Sequence, residues 1–212
     1  MGTGKTTSKV PRVVTMPTGI AAFGPYVTTP EQFHSRLRNP ALWLQECQSL
    51  LRAGRVLLKQ VAQDASTTPG VIRASVHQPC AMLGAMAVEN ALKAVIAQGL
   101  YVGAAPHPTG QGIPRPLKQH KLEKLAATAG VAPATDDERM LLTSGEDIIT
   151  HVGRYPTAMT ANSTKTFWSI EPAGIIAAAE GLCLSAVGMV TIIKKPDGEA
   201  FGLDDFRMSI EP

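Results

Sequence analysis

Three shortages in this chain each remove a class of protein. Cysteine is scarce: Cys47, Cys80 and Cys183 are odd in number and far apart. No disulfide framework follows, and no C-x-x-C pair offers half of a structural zinc site. The three read as reduced thiols of a cytoplasmic protein. Charge is sparse, at 17% of residues against 44% hydrophobic, which excludes a disordered chain and leaves a globular one. The first twenty residues lack a continuous apolar run, so no signal peptide is expected there. A chain of 212 residues can enclose a core as one domain or as two small ones.

Several motifs fail on a missing part. Gly2-Thr3-Gly4-Lys5-Thr6-Thr7 looks like a phosphate loop, but the upstream glycine and the preceding strand of G-x-x-x-x-G-K-[ST] are absent. No Gly-x-Ser-x-Gly elbow occurs. His77-Gln78-Pro79-Cys80 has the spacing of half a metal site without a second pair. No metal or cofactor is expected. The stretch from Pro172 to Ile193 could mimic a membrane span, yet it is rich in Ala and Gly and carries Glu180. A central carboxylate costs roughly 2.5–3.5 kcal/mol in a bilayer, so the stretch reads as a core helix of a soluble protein.

What charge there is lies unevenly. The net +3 is made of +6 over residues 1–75, +3 over 76–130 and −6 over 131–212. A basic half facing a polyanion and two halves attracting each other fit that distribution equally well.

The pattern of apolar residues predicts an all-α fold, an up-and-down bundle of about five helices. Residues 1–38, rich in Thr, Pro and Gly, form an irregular arm with room for a short helix from Pro30. The bundle spans 39–195 and a tail follows over 196–212. Helix one starts at the cap Asn39-Pro40 and carries a stripe of Trp43, Cys47, Leu50, Gly54, Leu57 and Val61, widened by Leu44, Leu51 and Leu58. A turn over residues 65–69 precedes helix two, about Pro79 to Gln98. This helix is apolar on nearly every side except for Glu89 and Lys93, four apart in the favourable order. Residues 99–119 form a long Gly- and Pro-rich loop. Helix three runs from about Lys118 to Ala129, closed by Gly130. Helix four opens with the capping box Thr135-Asp136-Asp137-Glu138 and ends near Tyr155, before Pro156. Helix five runs from Pro172 to Lys194. Gly174, Gly181 and Gly188 share one face, which implies a closely approaching helix, and Lys194 and Lys195 suit its negative end. The tail could hold a short strand.

Three segments carry a family resemblance. They are Ala87-Val88-Glu89-Asn90-Ala91-Leu92-Lys93-Ala94 in the second helix, His120-Lys121-Leu122-Glu123-Lys124-Leu125 at the start of the third, and Gly153-Arg154-Tyr155-Pro156 at the end of the fourth. In order and spacing they resemble the A-x-E-x-A-L-K-A, H-x-L-x-x-L and R-Y-P stretches of the HEPN family. With the Trp43 helix and the Ala-rich last helix, the resemblance spans about residues 39–195. It implies a helical bundle that dimerises, with a groove between protomers for a nucleotide or RNA strand. It also implies a bacterial defence, toxin–antitoxin or stress setting, with a nucleotidyltransferase-type or other defence partner. Ribonuclease members carry R-x(4–6)-H on a late helix, where Arg holds phosphate and His moves a proton without a metal. That motif is missing from helices four and five. The one literal match, Arg115 to His120, contains Pro116, so the pair lacks helical geometry.

The candidate binding residues are therefore Arg154 and Tyr155, for phosphate and base, and Arg115, Lys118, His120, Lys121 and Lys124 along helix three. Each has a plainer reading: Arg154 and Tyr155 as a helix end, His120 as a cap or packing group, and the lysines as a solvated face. His120, His151 and Arg154 are the catalytic candidates. Asp136, Asp137 and Glu138 are explained by helix capping. Three functions remain open: a non-catalytic bundle binding nucleotide, RNA or a partner; a metal-independent endoribonuclease with a dimeric active site; and an assembly module.

Overall fold

The computed structural model describes residues 14–15, 33, 37–64, 69–101, 113–152, 170–190, 193–194 and 200–201. The fold is an all-α bundle. Its helices are α1 (Pro40–Asp64), α2 (Pro69–Tyr101), α3 (Leu122–Ala129), α4 (Asp136–Asp147) and α5 (Pro172–Met189). Arg115–Lys118 forms a 3₁₀ turn, and Ile148–Val152 a π-helical turn. Three two-residue strands join arm and tail to the end of the bundle. β1 (Val14–Thr15) pairs in parallel with β2 (Ile193–Lys194), which pairs antiparallel with β3 (Ala200–Phe201). The expected helix at Pro30 lies outside the described residues.

The start of α1 follows from its capping chemistry. Asn39 Oδ1 accepts the Ala41 N–H at 3.0 Å, a donor that no preceding turn can satisfy, and Pro40 has no N–H to leave orphaned. The buried edge of α1 is Ala41, Leu44, Cys47 and Leu51. Trp43 and Leu50 are only partly buried against it. The buried edge thus runs along Leu44 and Leu51, the flank expected to widen the stripe, and the Trp43 indole N–H donates to Leu37 O at 3.1 Å.

α2 is the central helix, packed against α1, α5, α3 and the π-helical turn. It begins ten residues before the Pro79 start expected from sequence and carries Pro79 inside it. A proline there forfeits one backbone hydrogen bond, at about 3 kcal/mol. Tertiary contacts outweigh that cost: Val76 and His77 are buried, and His77 Nε2–H donates to Ile170 O at 2.9 Å, just ahead of α5.

α3 is shorter than expected at its start. Lys118 closes the 3₁₀ turn and Lys121 is the residue before the helix, so the lysines do not form one helical row. Leu117 of the turn is buried, and Pro114 O accepts both the Leu117 and the Lys118 N–H. Gly130 ends α3 with φ of 76°, and Val131 N–H reaches back to Ala126 O at 2.9 Å. At the start of α4, Thr135 Oγ1 accepts the Glu138 N–H at 3.1 Å while Glu138 Oε2 accepts the Ala134 N–H at 2.6 Å. That is the expected box, with its return bond displaced by one residue.

α4 gives way to the π-helical turn at Ile148 instead of continuing as α-helix to Tyr155. The wider turn serves two adjacent apolar side chains: Ile148 is buried in the core and Ile149 faces a cleft beside α2. α5 also stops early, at Met189. The run Val190-Thr191-Ile192-Ile193 is wholly β-branched, and such residues favour extended backbone. Lys194 accordingly lies in β2, not at the helix end; Lys195 lies outside the described residues. Gly181 does mark a close approach, since a Cβ there would overlap Glu138 Oε1 at the start of α4. Gly174 sits beside Ile170 and Asp137, whereas Gly188 has open space. The approaching element covers only the first two of the three glycines.

By length and composition two stretches are apolar enough to cross a membrane, Val76–Tyr101 and Pro172–Met189; the sequence reading singled out only the second. In the bundle 72% and 50% of their windows are buried.

Candidate functional site

The site grows from a carboxylate placed in an apolar helix. Glu89 sits midway along α2 and is itself buried, with fully buried Val88 before it and Ala91 two residues on, so its charge must find partners within the fold. One turn on, Lys93 Nζ donates to Glu89 Oε1 at 2.5 Å. The two side chains are only 5% (Lys93) and 12% (Glu89) exposed. The Lys93 ammonium also lies 5.5 Å from the Trp43 ring centroid of α1, a cation–π contact. The pair expected on one face of α2 is therefore an interior ion pair covered by the first helix. Such pairs fix geometry more than they add stability.

The second carboxylate oxygen reaches outward. His120, in the linker between the 3₁₀ turn and α3, donates Nδ1–H to Glu89 Oε2 at 3.1 Å. His120 is half exposed while Glu89 is not. With Nδ1–H committed, Nε2 is left as the acceptor of the neutral ring. This is a bond across 31 residues, not the local cap of the plainer sequence reading.

A cleft of about 370 Å³ opens here, lined by Met82, Met86, Glu89, Asn90, His120 and Ile149. Its walls are thioethers and an isoleucine. Its polar groups are the Glu89–His120 pair and the Asn90 amide, whose Nδ2 donates to Met86 O at 2.8 Å. An apolar hollow with a few convergent polar groups is the usual form of a small-ligand site.

The basic candidates flank His120. Arg115, Lys118, Lys121 and Lys124 are all exposed. Lys121 Nζ lies 3.1 Å from Glu146 Oε2 of α4, which fastens the linker on its other side. Among the described residues Arg115, Lys118 and Lys124 have no ion-pair partner. His151 falls in the π-helical turn, with its side chain outside the described residues. Arg154 and Tyr155 lie wholly outside them. Asp136 pairs with Arg139 at 2.5 Å and Glu138 caps its helix, as the capping reading requires.

The sequence reading missed Met82, Met86, Asn90 and Ile149 as lining residues, and Glu89 as the anchor of His120. A signal was available: Glu89-Asn90 are adjacent polar residues in an otherwise apolar helix. The thiols take no part. Burial pushes Cys80 up to about 11. Cys183 is also raised, by burial first and then by a hydrogen bond with Cys47, so both stay protonated and unreactive near neutral pH. His77 is held by Ile170 O and shares no cluster with Cys80. Among the described residues no group of three or more His, Cys, Asp or Glu could hold a metal ion.

Compared with family models, curated proteins and solved structures, the chain matches none.

Proposed function

We propose that the bundle binds a nucleotide or a single RNA strand, with a base in the α2 cleft and phosphates along residues 115–124. The observation that supports this most directly is the His120–Glu89 bond of 3.1 Å. It ties the segment 115–124, which carries four exposed cations, to the wall of an apolar hollow. Phosphate contact by Lys and Arg is the general source of nucleic-acid affinity, and an apolar hollow with a few polar groups is the usual form of a small-ligand site. The resemblance to HEPN proteins adds the rest of the proposal: a cytoplasmic dimer acting in bacterial defence or stress, with Arg154 and Tyr155 completing the phosphate and base contacts.

Fluorescence anisotropy with a labelled oligoribonucleotide tests this reading. Binding should weaken as salt rises, with a log–log slope of about −0.7 per phosphate contact. Lys118→Gln and Lys124→Gln should each reduce the slope by about that amount. No binding at low salt refutes the reading and leaves an assembly module.

A second reading, metal-independent endoribonuclease, is favoured by one observation: half-exposed His120 lines the cleft while a buried carboxylate holds its Nδ1. In that role Nε2 would take the proton of a ribose 2′-hydroxyl, and an adjacent Arg or Lys would steady the phosphate. Cleavage in EDTA that is lost in His120→Ala establishes it; intact RNA in EDTA rejects it.

A further inference from the structure

The cleft carries more information than its place beside a basic linker. Of its six lining residues, Met82 and Met86 are one turn apart on α2 and Ile149 faces them from the π-helical turn. Thioethers pack well against the faces and edges of aromatic rings, so this hollow suits a flat heteroaromatic better than a branched aliphatic group. A pocket at the small end of the usual 300–1,000 Å³ range matches one base, not two stacked ones.

The polar groups set which base. Each Glu89 oxygen already accepts one bond, Oε1 from Lys93 and Oε2 from His120, and a carboxylate has no donor, so Asn90 is the cleft group that offers an acceptor beside a donor. Asn90 has one amide hydrogen committed to Met86 O at 2.8 Å. Its Oδ1 and its second N–H remain, an acceptor beside a donor on a side chain anchored to its own helix. That edge complements a ring presenting an amino donor beside a nitrogen acceptor, as adenine does with N6–H and N7. Guanine offers two acceptors, O6 and N7, along the same edge and would leave Oδ1 facing an oxygen. The exposed cations at 115, 118, 121 and 124 supply the complementary charge for the attached phosphate.

We propose that the cleft selects adenine, with Asn90 pairing the N6–N7 edge and Met82, Met86 and Ile149 sandwiching the ring. This rests on the nucleotide-binding reading above and adds base identity to it.

The test uses the full chain and labelled rA8, rC8 and rU8 at one low salt concentration. A good bidentate pair implies roughly tenfold discrimination, so rA8 should bind about ten times more tightly than rU8. Replacing each adenine by 7-deazaadenine, which removes the N7 acceptor and leaves the protein untouched, should bring rA8 to the rU8 level. Asn90→Leu should bring rA8 to the level that the same variant shows for rU8. AMP competition separates two sources of the ligand: displacement of rA8 at equal base concentration marks a free-nucleotide site, and tighter rA8 marks a strand. Equal affinity for the three oligonucleotides, or a preference that survives 7-deaza substitution, overturns adenine selection while nucleotide binding stands. Absence of binding to all three overturns both.

Discussion

Replacing Lys93 by methionine isolates what holds the site together. The substitution keeps length and apolar volume but deletes the ammonium that bonds Glu89 Oε1 at 2.5 Å. Glu89 is then left 12% exposed with His120, itself half in water, as its one remaining partner among the described residues. Removing one member of a buried ion pair costs about 3–5 kcal/mol, because the surviving charge stays desolvated. His120 softens that cost, so about 3 kcal/mol is expected for Lys93→Met. Urea unfolding followed by far-UV circular dichroism reads this out. With a slope of about 2 kcal/mol/M, the midpoint should fall by about 1.5 M. The double variant Glu89→Leu/Lys93→Met removes both charges and should return to within about 1 kcal/mol of the native protein. A midpoint shift below about 0.5 M in Lys93→Met would refute the argument that Glu89 depends on Lys93. A double variant no more stable than Lys93→Met would show that the loss comes from packing instead of charge.

Two further outcomes follow from the packing. Gly181→Ala should cost about 1–3 kcal/mol, since the new methyl overlaps Glu138 Oε1 and disturbs the cap at Ala134. Gly188→Ala, with open space around it, should be neutral or slightly stabilising in the same urea titration, and equal effects at the two positions would contradict this packing. Alkaline pH should destabilise the fold. The Cys80 thiol ionises near 9 when unfolded and about 11 when folded, so between those values the folded state holds more protons and each rise in pH favours unfolding. The unfolding midpoint should fall between pH 9 and 11 and fall less in Cys80→Val; identical profiles would refute the assignment.

How much of this was legible beforehand depends on whether the deciding interaction is local. Asn39, Thr135 and Gly130 act within one turn of chain, and each caps or closes the helix it was expected to. The Glu89–Lys93 pair is likewise an i,i+4 contact. Of the boundaries that moved, one was decided by a distant partner: α2 extends through Pro79 because His77 finds Ile170, 93 residues away. α5 ends at Met189 because four β-branched residues follow, a local signal outweighed in the sequence reading by the attraction of lysines to a helix end. The site shows the same division. The basic residues around His120 could be read from sequence as a cluster, but not that the cluster is tied to α2. That tie needs Glu89 to have an oxygen left over after Lys93 is satisfied. A carboxylate in an apolar helix has two oxygens to satisfy, and Lys93 bonds Oε1 alone, at 2.5 Å. The unanswered oxygen therefore demanded a donor from elsewhere in the chain, and of the two described histidines whose bonds are known, His120 meets Glu89 whereas His77 meets a backbone carbonyl. Counting lone pairs on a buried acid thus reaches further along a chain than periodicity does. In this protein it leads from the interior of α2 to the rim of the cleft.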